Sequence, residues 1–188
     1  MSGESHIDHE ELILLGRAIL AAQKLEFAIY GLASHFNEKK SGYKDLTPEE
    51  FLRGDGAKTK ATLGRLVKDF APDLKIDDSE LDQVVIDRNL IAHDYWRLRV
   101  AKIKGGRSLD DPEEFLRRFI TRCEKWISIC QALIQLARIS IAEKLDRKHE
   151  ILDTPETERN HRELIKLIER KINDMSASQK PRVHKSIE

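Results

Sequence analysis

From Phe115 to Leu145 the chain places Phe115, Phe119, Cys123, Trp126, Cys130, Leu133, Ala137, Ile141 and Leu145 at three- and four-residue steps. That spacing is the mark of one helix turning a single apolar stripe toward a core. Asp111-Pro112-Glu113-Glu114 opens this helix with a capping residue, a proline at the first helical position and acids facing the positive end of the helix. A helix this long commits its neighbours to helical packing. The start of the chain repeats the pattern: Leu12, Leu15, Ile19, Ala22, Glu26, Tyr30 and Ala33 form the expected core stripe of a helix from Glu10 to about Phe36.

Between these two lie shorter elements. Thr59 to Phe70 carries Leu63, Leu66, Val67 and Phe70, and Ala71-Pro72-Asp73 ends it. Ser79 is the expected cap of the next helix, with Asp82 three residues on, running to about Val100 before Gly105-Gly106. Residues 37–56 read as a loop with a short helix at Thr47-Pro48-Glu49-Glu50. No strand-like alternation or internal repeat occurs. The expected fold is all-α, an antiparallel helical bundle with long first and fourth helices over residues 1–150. Residues 151–188 form a charged appendage. In it, Thr154-Pro155-Glu156 starts a helix with a thin stripe of Leu164, Ile165, Ile168 and Ile172, and a disordered tail begins at Ser176.

Composition excludes several function classes. The 33 basic and 33 acidic residues cancel, so nucleic-acid binding has to rest on local patches rather than on a global field. No apolar run approaches the roughly 20 residues of a membrane span, and the polar start carries no signal peptide; the expected location is cytoplasmic, with no membrane partner. Cys123 and Cys130 stand two helical turns apart, about 10 Å, which is too far for a disulfide, and read as core residues. His6, His9, His149 and His161 have no second ligand at metal spacing, so no metal site is expected. No phosphate-cradling glycine loop or Ser-His-acid arrangement is present, and no cofactor is expected.

One stretch carries chemistry: Asp87-Arg88-Asn89-Leu90-Ile91-Ala92-His93-Asp94. Leu81, Val84, Val85, Ile91, Ala92 and Tyr95 cluster on one helix face at about 100° per residue, with Arg88 at the centre. A cation there is costly unless it is paired or lines an open cleft. Glu26, on the stripe of the first helix, is the expected partner. Asn89 and His93 share the flank with Ile86, Leu90 and Trp96, an apolar rim that points to a second subunit across a two-fold axis. Arg97 and Arg99 follow and could extend a phosphate-binding groove. Arg supplies a permanent forked cation for phosphate oxygens, and His moves a proton near neutrality.

The stretch resembles the HEPN superfamily (higher eukaryotes and prokaryotes nucleotide-binding), whose hallmark is an Arg followed by a polar residue and then a His within the third major helix of a bundle. Arg88, Asn89 and His93 fit that pattern with four residues between Arg and His, and the resemblance covers roughly residues 10 to 147. It implies a homodimer whose paired motifs form a metal-independent endoribonuclease site. His93 would transfer protons, Arg88 would neutralise the phosphate, and Asn89 would orient either group, with Glu26 and Arg97 as possible supporting residues. It further implies an RNA substrate, a toxin or antiviral-defence setting and a possible neutralising antitoxin or other partner protein. The opposing reading is a non-catalytic dimer or scaffold binding nucleotide, RNA or a protein.

Overall fold

The computed structural model describes residues 7–35, 63–73, 76, 78–100, 109, 111–147, 151 and 153–178. Among them every regular element is helical: α1 (His9–His35), α2 (Leu63–Phe70), α3 (Ser79–Asn89), a π-helical turn (Leu90–Asp94), α4 (Tyr95–Val100), α5 (Pro112–Lys144) and α6 (Pro155–Ser178). The protein is an all-α bundle, as its periodicity requires. The expected short helix at 47–50 and the Gly105-Gly106 break lie outside the described residues; of the tail expected from Ser176, residues 176–178 are helical and close α6, and the rest lies outside the described residues. Two compact units follow one another along the chain, Met1–Cys130 and Gln131–Glu188, and the boundary falls inside α5.

Aspartates begin three of the helices. Asp8 accepts from the Glu11 amide at 2.8 Å, Asp78 from the Glu80 amide at 2.8 Å, and Asp111 from the Glu114 amide at 2.9 Å. A carboxylate there satisfies an orphan N–H and faces the positive helix end. The cap of α3 is therefore Asp78, not Ser79, because the aspartate one residue upstream offers both effects.

The core of the first unit gathers Trp126, Phe119, Phe70, Leu25, Ile29, Leu32, Leu66 and Leu81, all fully buried. On α1 the buried stripe is Leu14, Ala18, Ala21, Leu25, Ala28 and Leu32, whereas Leu12 and Ile19 of the expected stripe are 52% and 43% exposed. Apolar residues surround the first half of α1, so two rotations of the helix satisfy the same period. The buried one turns three alanines inward, which lets neighbouring helices approach closely. Gly64 of α2 shows the same economy: a Cβ there would stand 3.1 Å from Val85 Cγ1 on α3.

Ion pairs fix the direction of the helices. Glu11 and Glu26 of α1 meet Arg99 and Arg88 in reverse order, and Glu80 and Asp87 of α3 meet Lys125 and Arg122 of α5 in reverse order. The continuous rod of α3, π-turn and α4 thus runs antiparallel to both α1 and α5.

In the second unit α6 buries Asn160, Leu164 and Leu167, with Asn160 Nδ2 donating to Gln131 Oε1 at 3.1 Å. Of the expected stripe only Leu164 is buried; Ile165, Ile168 and Ile172 are about half exposed, because the buried face lies one residue round the helix. The stripe of α5 likewise runs out of cover, with Ile141 and Leu145 exposed. Past the end of α5, Asp146 adopts φ 55° while the Arg147 amide donates to the Ala142 carbonyl at 2.8 Å, a left-handed cap that satisfies trailing carbonyls. Among the described residues no helix is long and apolar enough to cross a membrane.

Candidate functional site

Arg88 ends α3. Leu81, Val84, Ile91 and Tyr95 around it are buried as the pattern demands, while Ala92 is exposed. Its side chain enters a cleft enclosing about 370 Å³ of empty space, part of it open to solvent. Ala18, Ile19, Ala22, Gln23 and Glu26 of α1, Ile91 and Ala92 of the π-turn and Phe119 of α5 form the walls. The guanidinium is not left alone there: Nη2 lies 4.0 Å from Glu26 Oε2, and Nη1 donates to Asn89 Oδ1 at 3.2 Å. The Glu26 partner is the one expected from sequence. Both partners keep about a quarter of their side-chain surface exposed, so the cation is oriented without being sealed. Burial raises the Glu26 carboxyl above the ordinary carboxylate range, and the attraction of Arg88 only partly opposes it. Burial and, after it, the nearby Glu26 carboxylate raise the Tyr30 phenol as well.

The rod then changes pitch. In an α-helix a residue five positions on stands about 140° round the axis, from 100° per residue. The π-turn bonds i to i+5, turns less per residue and narrows that angle between Arg88 and His93. His93 is exposed and, among the described residues, hydrogen-bonds to neither Arg88 nor Asn89. Ala92 lines the cleft, while Asn89 and His93 do not. The fold therefore gathers Arg88, Glu26 and Asn89, and leaves His93 free one turn away. Arg97 stands apart, 64% exposed and paired with Asp94 at 2.7 Å.

Two buried carboxylates, neither foreseen from sequence, brace the rod on either side of the π-turn. Asp87 forms an ion pair with Arg122 Nη2 at 2.8 Å and accepts a hydrogen bond from Gln83 Nε2 at 2.8 Å. Glu11 accepts from the Tyr95 hydroxyl at 2.7 Å and from Arg99 Nε at 3.1 Å. Burial and the Glu11 hydrogen bond push the Tyr95 phenol well above its ordinary range. Arg99, read as a groove extension, is thus a structural cation. Asp87 stands about 100° round the helix from the centre of the stripe that singled out Arg88, so the sequence pattern does not mark it; Glu11 falls on the buried stripe of α1 with Leu14 and Ala18.

Chemically, the site offers a fixed forked cation in an apolar cleft and an unencumbered imidazole nearby. Among the described residues no group of three or more His, Cys, Asp or Glu could hold a metal ion. No model of a known protein family matches the chain, and neither a curated protein nor a solved structure shows significant similarity to it.

Proposed function

We propose that this protein is a metal-independent endoribonuclease of the HEPN kind that works as a homodimer, with Arg88 and His93 as its reacting pair. The ribose 2′-oxygen bonds to the adjacent phosphorus, the bond from phosphorus to the 5′-oxygen breaks, and a cyclic phosphate and a 5′-hydroxyl remain. His93 takes or returns the proton on these oxygens. Arg88 meets the negative charge that builds on the phosphate, in a cleft whose apolar walls strengthen the attraction. Asn89, bonded to Arg88, orients the fork, and Glu26 holds it from the other side. The observation that carries this reading is Arg88 itself: a half-buried guanidinium in an open apolar cleft, one π-turn from an exposed imidazole. A cytoplasmic toxin or phage-defence role with a neutralising partner fits such an enzyme.

A second reading rests on the same geometry. Glu26 already pairs with Arg88, and His93 stands outside the cleft, which suits a non-catalytic scaffold that binds RNA, nucleotide or protein. Incubating RNA with the protein in a chelator separates the two. The enzyme reading requires cleavage by the wild type and none by folded His93→Ala and Arg88→Ala; intact RNA with all three favours the scaffold.

A further inference from the structure

The face of α1 opposite its core stripe carries four apolar side chains that are about half exposed. Leu12, Ile13, Ile19 and Leu20 are 52%, 49%, 43% and 50% exposed. At their centre sits Gly16, where an added Cβ would meet nothing within 4 Å. Glycine in mid-helix costs stability relative to alanine, and among the described residues nothing approaches closely enough to require it there. Glycine does permit a second backbone to come close.

We infer that this face docks on the same face of a second copy, the two α1 helices running antiparallel and crossing at Gly16. A two-fold axis through Gly16 sets each residue against the one equally far on the other side. Leu12 then meets Leu20 and Ile13 meets Ile19 of the other copy, so eight apolar side chains close around the glycines. At the ends the same register sets Asp8 against Lys24, opposite charges in each of two symmetry-related pairs. A shift of the axis to Leu20 would instead face Lys24 with the glycine and leave Asp8 beyond the contact. Ile19 belongs both to this face and to the wall of the Arg88 cleft, so the contact sets the two clefts beside the dimer axis. The inference deepens the dimeric part of the proposed function and rests on that reading only for the composite site.

Cross-linking tests it in the full-length protein. Cys123 and Cys130 are buried, with their thiols pushed up to about 12, so the wild type supplies no competing disulfide. Gly16→Cys should convert to a covalent dimer under mild oxidation, because only Cα atoms within about 7 Å can be bridged. Gly16→Leu should keep its helical circular dichroism, since its side chain meets open space in the single chain, yet weaken dimerisation at least tenfold in analytical ultracentrifugation. Lys24→Glu should weaken the dimer, and adding Asp8→Lys should restore it. A monomeric wild type overturns the inference, including one whose α1 face is covered by residues 36–62 of its own chain. So does a dimer that survives Gly16→Leu and leaves Gly16→Cys uncross-linked. RNA left intact by a protein that still cross-links at Gly16→Cys supports the contact and tells against the nuclease chemistry alone.

Discussion

Replacing Tyr95 by phenylalanine removes one hydroxyl and little volume. That hydroxyl donates to Glu11 at 2.7 Å, and both side chains are buried, Glu11 at 2% and Tyr95 at 4% exposure. Hydrogen bonds to charged groups contribute about 1.5–3 kcal/mol. Losing a whole partner from a buried ion pair costs about 3–5 kcal/mol, but Glu11 keeps Arg99 Nε at 3.1 Å after the substitution. The expected loss for Tyr95→Phe is therefore ~2 kcal/mol, smaller than that for Arg99→Ala. Denaturant unfolding followed by fluorescence reads it cleanly. The chain has two tryptophans, Trp126 fully buried in the first unit and Trp96 exposed, so a Trp96→Phe background leaves one core reporter. A loss below ~0.5 kcal/mol would mean that water replaces the hydroxyl, and Glu11 would no longer count as a buried brace of the π-turn.

Three further outcomes follow from the geometry. The Glu26 carboxyl is raised in the folded protein, so its contribution to stability is full below its unfolded titration range and is lost as pH rises through its folded one. The stability of Glu26→Gln relative to wild type should accordingly improve between pH 4 and pH 7 in paired denaturation curves, and the opposite trend would show the Arg88 attraction dominating. Asp146→Gly should gain up to ~1 kcal/mol in thermal unfolding, because a residue without Cβ fits φ 55°. Cys123 and Cys130, with thiols near 12, should resist an aromatic disulfide reagent at pH 8 until denaturant is added; fast labelling in native buffer would contradict their burial.

The helices were legible in the sequence because their periods are long and their caps strong; α5 starts at Pro112 as its Asp-Pro-Glu-Glu entry dictates. Which way a helix faces was legible only where one face alone is apolar. α1 and α6 carry apolar residues on adjacent faces, and neighbours that the period does not encode choose between them. At the site, the conflict between a cation and an apolar stripe located Arg88 and its Glu26 partner. The π-turn is not legible because the same residues also read as continuous α-helix. Glu11 is not legible because only the second half of the expected α1 stripe holds: Ala22 and Ala33 are buried, but in the first half the buried face lies one residue away from Leu12 and Ile19 and takes in Glu11 instead.

The central claim is that Arg88 and His93 act together on a phosphodiester through its own 2′-oxygen. End-group analysis of a cleaved oligoribonucleotide in chelating buffer, beside the same oligonucleotide with a single 2′-deoxy sugar at the cut site, measures this directly. The account predicts a 2′,3′-cyclic phosphate and a 5′-hydroxyl, no cut at the deoxy position, and no product from His93→Ala. A 5′-phosphate product, undiminished cutting at the deoxy sugar, or full activity in His93→Ala would contradict it.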